Sequence, residues 1–130
     1  MTDLAEITRS LVAMDIERTE ELTRAAIAAG VPASEILEKG LITGMQTVGE
    51  QFEAGEIFLP ELLMSGEAMK AALNHLKPLL TAQPGGRRFA GKAAVGTVQG
   101  DIHDIGKNII IMMLEGNGWD VTDLGVDVSP

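Results

Sequence analysis

Lys92-Ala93-Ala94-Val95-Gly96-Thr97-Val98, then Asp101-Ile102-His103-Asp104-Ile105-Gly106, then Asn108 to Leu114, reads as a strand, a loop and a helix in succession. The first run is short, apolar and partly β-branched, which suits a buried strand, and the last is apolar at helical length. The loop therefore stands at the carboxyl end of a strand, where open α/β sheets bind ligands. His103 has the greatest chemical reach in it, because a neutral imidazole ligates a metal through one nitrogen while an acceptor holds its other N–H. Asp101 is the natural acceptor, fixing the tautomer and making the ligating nitrogen a better electron donor. Gly106 removes a side chain where a bulky ligand would press on the backbone. Asp104 is placed to cap the helix that follows. An Asp-x-His pair by itself fits a capped loop with a solvated histidine at least as well.

Two other chemistries fit this loop poorly. A phosphate-binding P-loop needs four residues between its glycines and then Lys-Ser/Thr, whereas five separate Gly100 from Gly106 and Asn108 follows Lys107. Two aspartates in the loop would also repel phosphate. A hydrolytic zinc site takes three protein ligands plus water, but the second histidine, His75, lies in a distant helical segment and the chain has no cysteine. Asp101, Asp104 and His103 would have to converge from one tight loop.

The 130 residues, 45% of them hydrophobic, suffice for one ordinary packed domain or two small ones. A formal charge of −9 argues against nucleic acid or an anionic membrane as partner, since those surfaces select for clustered Lys and Arg. The lack of cysteine excludes disulfides, thiolate zinc sites and cysteine nucleophiles. No apolar run is long enough to span a bilayer, and the opening Met1-Thr2-Asp3-Leu4-Ala5-Glu6 lacks the features of a signal peptide, so a cytoplasmic location is expected.

Upstream of the strand the chain reads as four helices. Leu4, Ile7, Leu11 and Met14 recur at helical spacing; Asp15 caps a second helix that stops at Gly30. Pro32 opens a third, with Ile36 or Leu37, Leu41, Met45, Val48 and Phe52 as its buried stripe. Within it, Gly40 and Gly44 each cost about 1 kcal/mol against alanine, which points to close approach by a neighbouring helix backbone. Gly55 ends that helix, and Pro60 with Glu61 opens a fourth with Leu62, Leu63, Met69, Leu73 and Leu76 inward. Pro78 should end or kink it at Lys77. Short connections of this kind suggest a small antiparallel bundle. Thr81 to Arg88, rich in Gly and Pro, is the clear linker. Residues 1–81 are thus expected to form a helical domain, 82–90 a linker, and 91–130 a β-α-β unit with its second strand over Trp119 to Leu124 and its helix stopped by Gly116 and Gly118.

The whole run Gly100-Asp101-Ile102-His103-Asp104-Ile105-Gly106-Lys107-Asn108, followed by Asp123-Leu124-Gly125-Val126, resembles the cobalamin-binding module of methionine synthase and of corrinoid proteins in methyl-transfer systems. Gly44-Met45-Gln46-Thr47-Val48-Gly49-Glu50-Gln51-Phe52, with Gly55-Glu56-Ile57-Phe58-Leu59-Pro60, resembles the helical cap that precedes that module. The resemblance implies a four-helix bundle followed by the first β-α-β part of a flavodoxin/Rossmann-like domain. It implies His103 as the lower cobalt ligand, Asp101 as its orienting partner, and Gly106 as the residue that lets the cofactor's nucleotide tail pass. Phe52 and Leu59 would cover the methyl-bearing upper face, with Phe58 a packing neighbour; from pattern alone Phe52 is plain core. The activity implied is a methyl carrier on cobalt, in its methylcobalamin form, serving a substrate-specific and an acceptor methyltransferase, with a reductive activase as a further partner.

A cobalamin sensor and the small subunit of an adenosylcobalamin mutase are the alternatives. A sensor would call for an output domain, and a methyl-sized lid leaves no room for an adenosyl group. Family members continue past the position of Pro130 with further β-α units that line the tail's tunnel. The sequence is accordingly expected to be a fragment, or to be completed by another chain, with weak cobalamin binding on its own and an unpaired edge on Lys92 to Val98.

Overall fold

The structure is a computed structural model and describes residues 3–82 and 91–130. The first half is helical: α1 (Leu4–Val12), α2 (Ile16–Ala28), a long third helix and α5 (Leu59–Ala82). The third helix consists of α3 (Ala33–Glu35), a π-helical stretch (Ile36–Ile42) and α4 (Thr43–Glu53). Asp3 and Asp15 cap α1 and α2, each carboxylate accepting a first-turn N–H. Gly30 and Gly55 stop their helices with φ of +85° and +76°, a conformation open to glycine at little cost. Met14, expected on the stripe of α1, instead takes φ +64° in the turn beyond it.

The core lies inside the bundle, where Ile7, Leu11, Ile36, Leu37, Leu41, Val48, Leu62, Met69, Leu73 and Leu76 are buried together. A Cβ on Gly40 would stand 3.3 Å from Ile7 Cγ2, and one on Gly44 3.1 Å from Leu11 Cδ2. These glycines therefore let α1 settle on the third helix. Thr8 joins the same contact, its hydroxyl donating to the Gly40 carbonyl at 2.8 Å. That carbonyl lies within the π stretch, where the ordinary i→i−4 ladder is interrupted. Phe52 leaves the stripe and is 42% exposed, so it is not core.

Pro78 does not end α5, which runs on to Ala82. Leu76 and Leu80 on either side of it are buried, and their burial offsets the roughly 3 kcal/mol that an interior proline costs. The helix thus reaches the first residue of the expected linker; residues 83–90 of that linker lie outside the described residues.

The second half holds β1 (Lys92–Val98), α6 (Ile105–Gly116) and β2 (Asp120–Val128), with the strands paired in parallel. Valine and threonine make up much of β1, as a strand prefers. It is not a buried strand, however: its residues alternate between exposed and half-buried, because α6 contacts one side and no described element covers the other. β2 runs four residues past its expected end. Its register slips after Val95 and again after Gly96, and Gly125 and Asp127 adopt positive φ. These bulges bend the strand as it reaches the His103 loop. The two halves meet at α6, whose Met112 is buried in the bundle core. Gly66 makes room for it, since a Cβ there would lie 1.9 Å from the Met112 sulfur. Lys77 of α5 adds an ion pair to the buried Glu115 of α6 at 3.3 Å.

Candidate functional site

Asp101 and His103 come together as the spacing suggests. One carboxylate oxygen, Oδ1, accepts the His103 backbone N–H at 2.9 Å and meets ring Nδ1 at 2.5 Å. The backbone bond first, and the ring bond after it, hold the Asp101 carboxyl below the usual carboxylate range. With Nδ1 held by Asp101, Nε2 is the nitrogen left to meet a ligand, and the His103 side chain is 92% exposed. Neighbouring Ile102 is exposed as well.

Residues that the sequence reading passed over brace this loop. Thr97, at the end of β1, donates its hydroxyl to the His103 carbonyl at 2.9 Å. Asp127, at the bend of β2, accepts the Gly100 N–H at 2.7 Å and donates its own N–H to the Asp101 carbonyl at 2.9 Å. Lys107 is the third, with a side chain only 5% exposed. Its ammonium reaches both oxygens of Asp123, at 2.8 and 2.9 Å, Asp104 Oδ1 at 2.8 Å and Asn108 Oδ1 at 3.0 Å. Asp104 first and Asp123 second raise the Lys107 pKa, and Lys107 lowers both carboxyls in return. Asp104 stands at the N-cap position of α6 without a side-chain cap bond, because its carboxylate is engaged by Lys107 and Asn108 instead.

Gly106 lies in the first turn of α6, where an added Cβ would find nothing within 4 Å. Phe52 and Leu59 flank the α4–α5 turn, 42% and 38% exposed, and are not joined to His103 by any hydrogen bond. Phe58, expected as a packing neighbour, is 68% exposed. A cleft of about 520 Å³ between α4 and α6, lined by Met45, Glu50, Met113 and Asn117 among others, lies at the far end of α6 from the loop and includes none of its residues.

This donor set suits a metal that arrives already chelated. Among the described residues no three His, Asp or Glu side chains converge on one point. The His103 imidazole is exposed and oriented, so one ring nitrogen is free to meet such a group, and the space beside Gly106 is open.

Residues 4–77 match a family model described as a B12 binding domain, and residues 91–130 match a second with the same description. Monomethylamine corrinoid protein 1 of Methanosarcina barkeri is 47% identical over 119 residues, covering 92% of this chain and 55% of the relative. Trimethylamine corrinoid protein 1 of Methanosarcina mazei is 42% identical over 125 residues, 96% of this chain and 58% of the relative. In the crystal structure of the methanol:cobalamin methyltransferase complex MtaBC from Methanosarcina barkeri, a chain superposes with TM-score 0.80 at 34% identity, covering 96% of this chain and 47% of that one. The chain thus spans about half the length of the curated relatives it matches.

Proposed function

The chain belongs to the B12-binding proteins, its two halves each matching a B12 binding domain, and from that premise we propose a corrinoid methyl carrier in which His103 would hold the cobalt. The observation that carries this reading is the Asp101–His103 pair, which fixes one ring nitrogen and turns the other to solvent. When bound, cobalamin supplies a cobalt centre that accepts and releases a methyl group, methylcobalamin being the loaded form. Asp101 holds the Nδ1 proton and so keeps the Nε2 lone pair available. Gly106 leaves room for the cofactor's tail beside the loop. Phe52 and Leu59, apolar and exposed, would shield the carried methyl group from water.

In this proposal residues 1–81 form the cap, 91–130 carry the ligating loop, and 82–90 link them. The partners are a substrate-specific methyltransferase, an acceptor methyltransferase and a reductive activase. Relatives named as methylamine corrinoid proteins and a structural neighbour from a methanol:cobalamin methyltransferase complex support a methyltransferase as partner. No described helix is long and apolar enough to cross a membrane, and the proposed place of work is the cytoplasm.

Titration with cobalamin, followed by its absorption spectrum, tests the ligand. Binding should replace the cofactor's own base with histidine, and His103→Ala should lose that spectral change. A variant whose spectrum matches the parent's would remove His103 from the site.

A further inference from the structure

We infer that Asp127 is a positioning residue for the Asp101–His103 pair, its two hydrogen bonds fixing the peptide units from which the ligating imidazole is aimed. The inference rests on the reading of His103 as the ligand. Asp127 lies 24 residues after His103 in the chain, outside the loop's own motif, yet it holds the loop at two points. Its carboxylate accepts the Gly100 N–H at 2.7 Å, and its N–H donates to the Asp101 carbonyl at 2.9 Å. Together these bonds fix the backbone on both sides of the Gly100–Asp101 peptide. Gly100 has φ +88° in a turn closed by the Asp101 N–H donating to the Val98 carbonyl at 3.0 Å, and the Asp127 bonds are what tie that turn to β2.

The consequence passes directly to the ring. Asp101 Oδ1 serves both the His103 N–H and Nδ1, so a turn of the Asp101 backbone moves the atom that selects the tautomer. Asp127 reaches this position because β2 is bulged. The register slip beyond Gly96 and the φ of +54° at Asp127 turn its backbone and carboxylate toward Gly100, where a regular strand would continue its alternation. Aspartate and asparagine are among the few side-chain-bearing residues that accept this φ readily, and they also carry the acceptor that Gly100 needs. The residue type, the local strain and the hydrogen bond all serve one geometry.

Three substitutions separate these contributions. Asp127→Asn keeps an acceptor oxygen and tolerates positive φ; Asp127→Gly keeps the φ and removes the acceptor; Asp127→Ala removes both. Nitrogen-15 NMR of the histidine rings, in cofactor-free protein at a pH where the ring is neutral, reports the ratio of Nδ1–H to Nε2–H tautomers. His103→Ala identifies the His103 signals against those of His75. The ratio should stay at the parent value in Asp127→Asn. It should fall by about fivefold in Asp127→Gly, the weight of one net hydrogen bond, and at least as far in Asp127→Ala. A parent-like ratio in the Gly and Ala variants would overturn the inference, as would an Asn variant that falls as far as Gly. Cobalamin titration of the same proteins keeps the two readings apart. If the tautomer ratio follows the series while the cobalamin spectrum ignores His103, the positioning role stands and the ligand role fails.

Discussion

At the scale of single residues, the site divides into what neighbours in sequence specify and what only folding brings together. Asp101 and His103 are two apart, so a carboxylate and an imidazole in that spacing meet through local geometry alone, and the pair is legible in the sequence. Lys107 with Asp123, sixteen apart, and Asp127 with Gly100, twenty-seven apart, depend on β2 lying beside β1 and on where its bulges fall. No periodicity carries that information. The Lys107 cluster has a pH signature. Asp123 has a lowered pKa when folded, so its share of stability is present above the unfolded value of about 4 and is lost as pH falls through the lower folded value. Lys107 has a raised pKa, so its share is present below about 10.4 and is lost as pH rises through the higher folded value. Lys107→Met should therefore be less stable than the parent between those limits, and the gap should close in acid below pH ~4. Chemical denaturation across pH checks this; a constant gap down to pH ~2 would mean that Lys107 acts through packing and not through charge.

At the scale of elements, the helices were legible because their caps and stops are local chemistry: Asp15 before α2, then Gly30 and Gly55 after their helices, lie where sequence alone places them. Where tertiary packing outweighs propensity, local signals mislead. Pro78 is carried through α5 by the burial of Leu76 and Leu80, and Phe52 has core spacing but lies exposed in the last turn of α4. The π stretch is another feature that propensity does not encode. It brings Gly40 and Gly44 against α1 and leaves the Gly40 carbonyl to be met by Thr8. Thr8→Val keeps the shape and removes that donor, so it should destabilise the protein by about 1 kcal/mol, read as a lower denaturant midpoint with an unchanged slope. An unshifted midpoint would show that water serves that carbonyl as well as Thr8 does.

At the scale of the whole molecule, the bundle and the β-α-β unit share one contact region, in which a side chain of one half completes the core of the other. Met112 is 6% exposed among bundle residues, seated over Gly66, and Lys77 pairs with the buried Glu115 beside it. A long methionine entering a gap left by glycine is a packing arrangement that alternating hydrophobicity cannot reveal, since each residue is unremarkable on its own helix. Its energetic consequence is coupling. If the halves were independent, truncating Met112 would weaken only the unit to which it belongs. With its side chain in the bundle core, Met112→Ala should cost about 2–5 kcal/mol of global stability. Trp119, the single tryptophan, precedes β2 and packs over Gly91, so its fluorescence reports chiefly on the second half. Far-UV circular dichroism reports chiefly on the bundle, which holds most of the described helix. In the parent the two signals should lose structure in one coincident transition, and in Met112→Ala both should shift together to lower denaturant. A fluorescence transition that moves while the dichroism transition stays fixed would show two independent units, with Met112 acting within its own half alone.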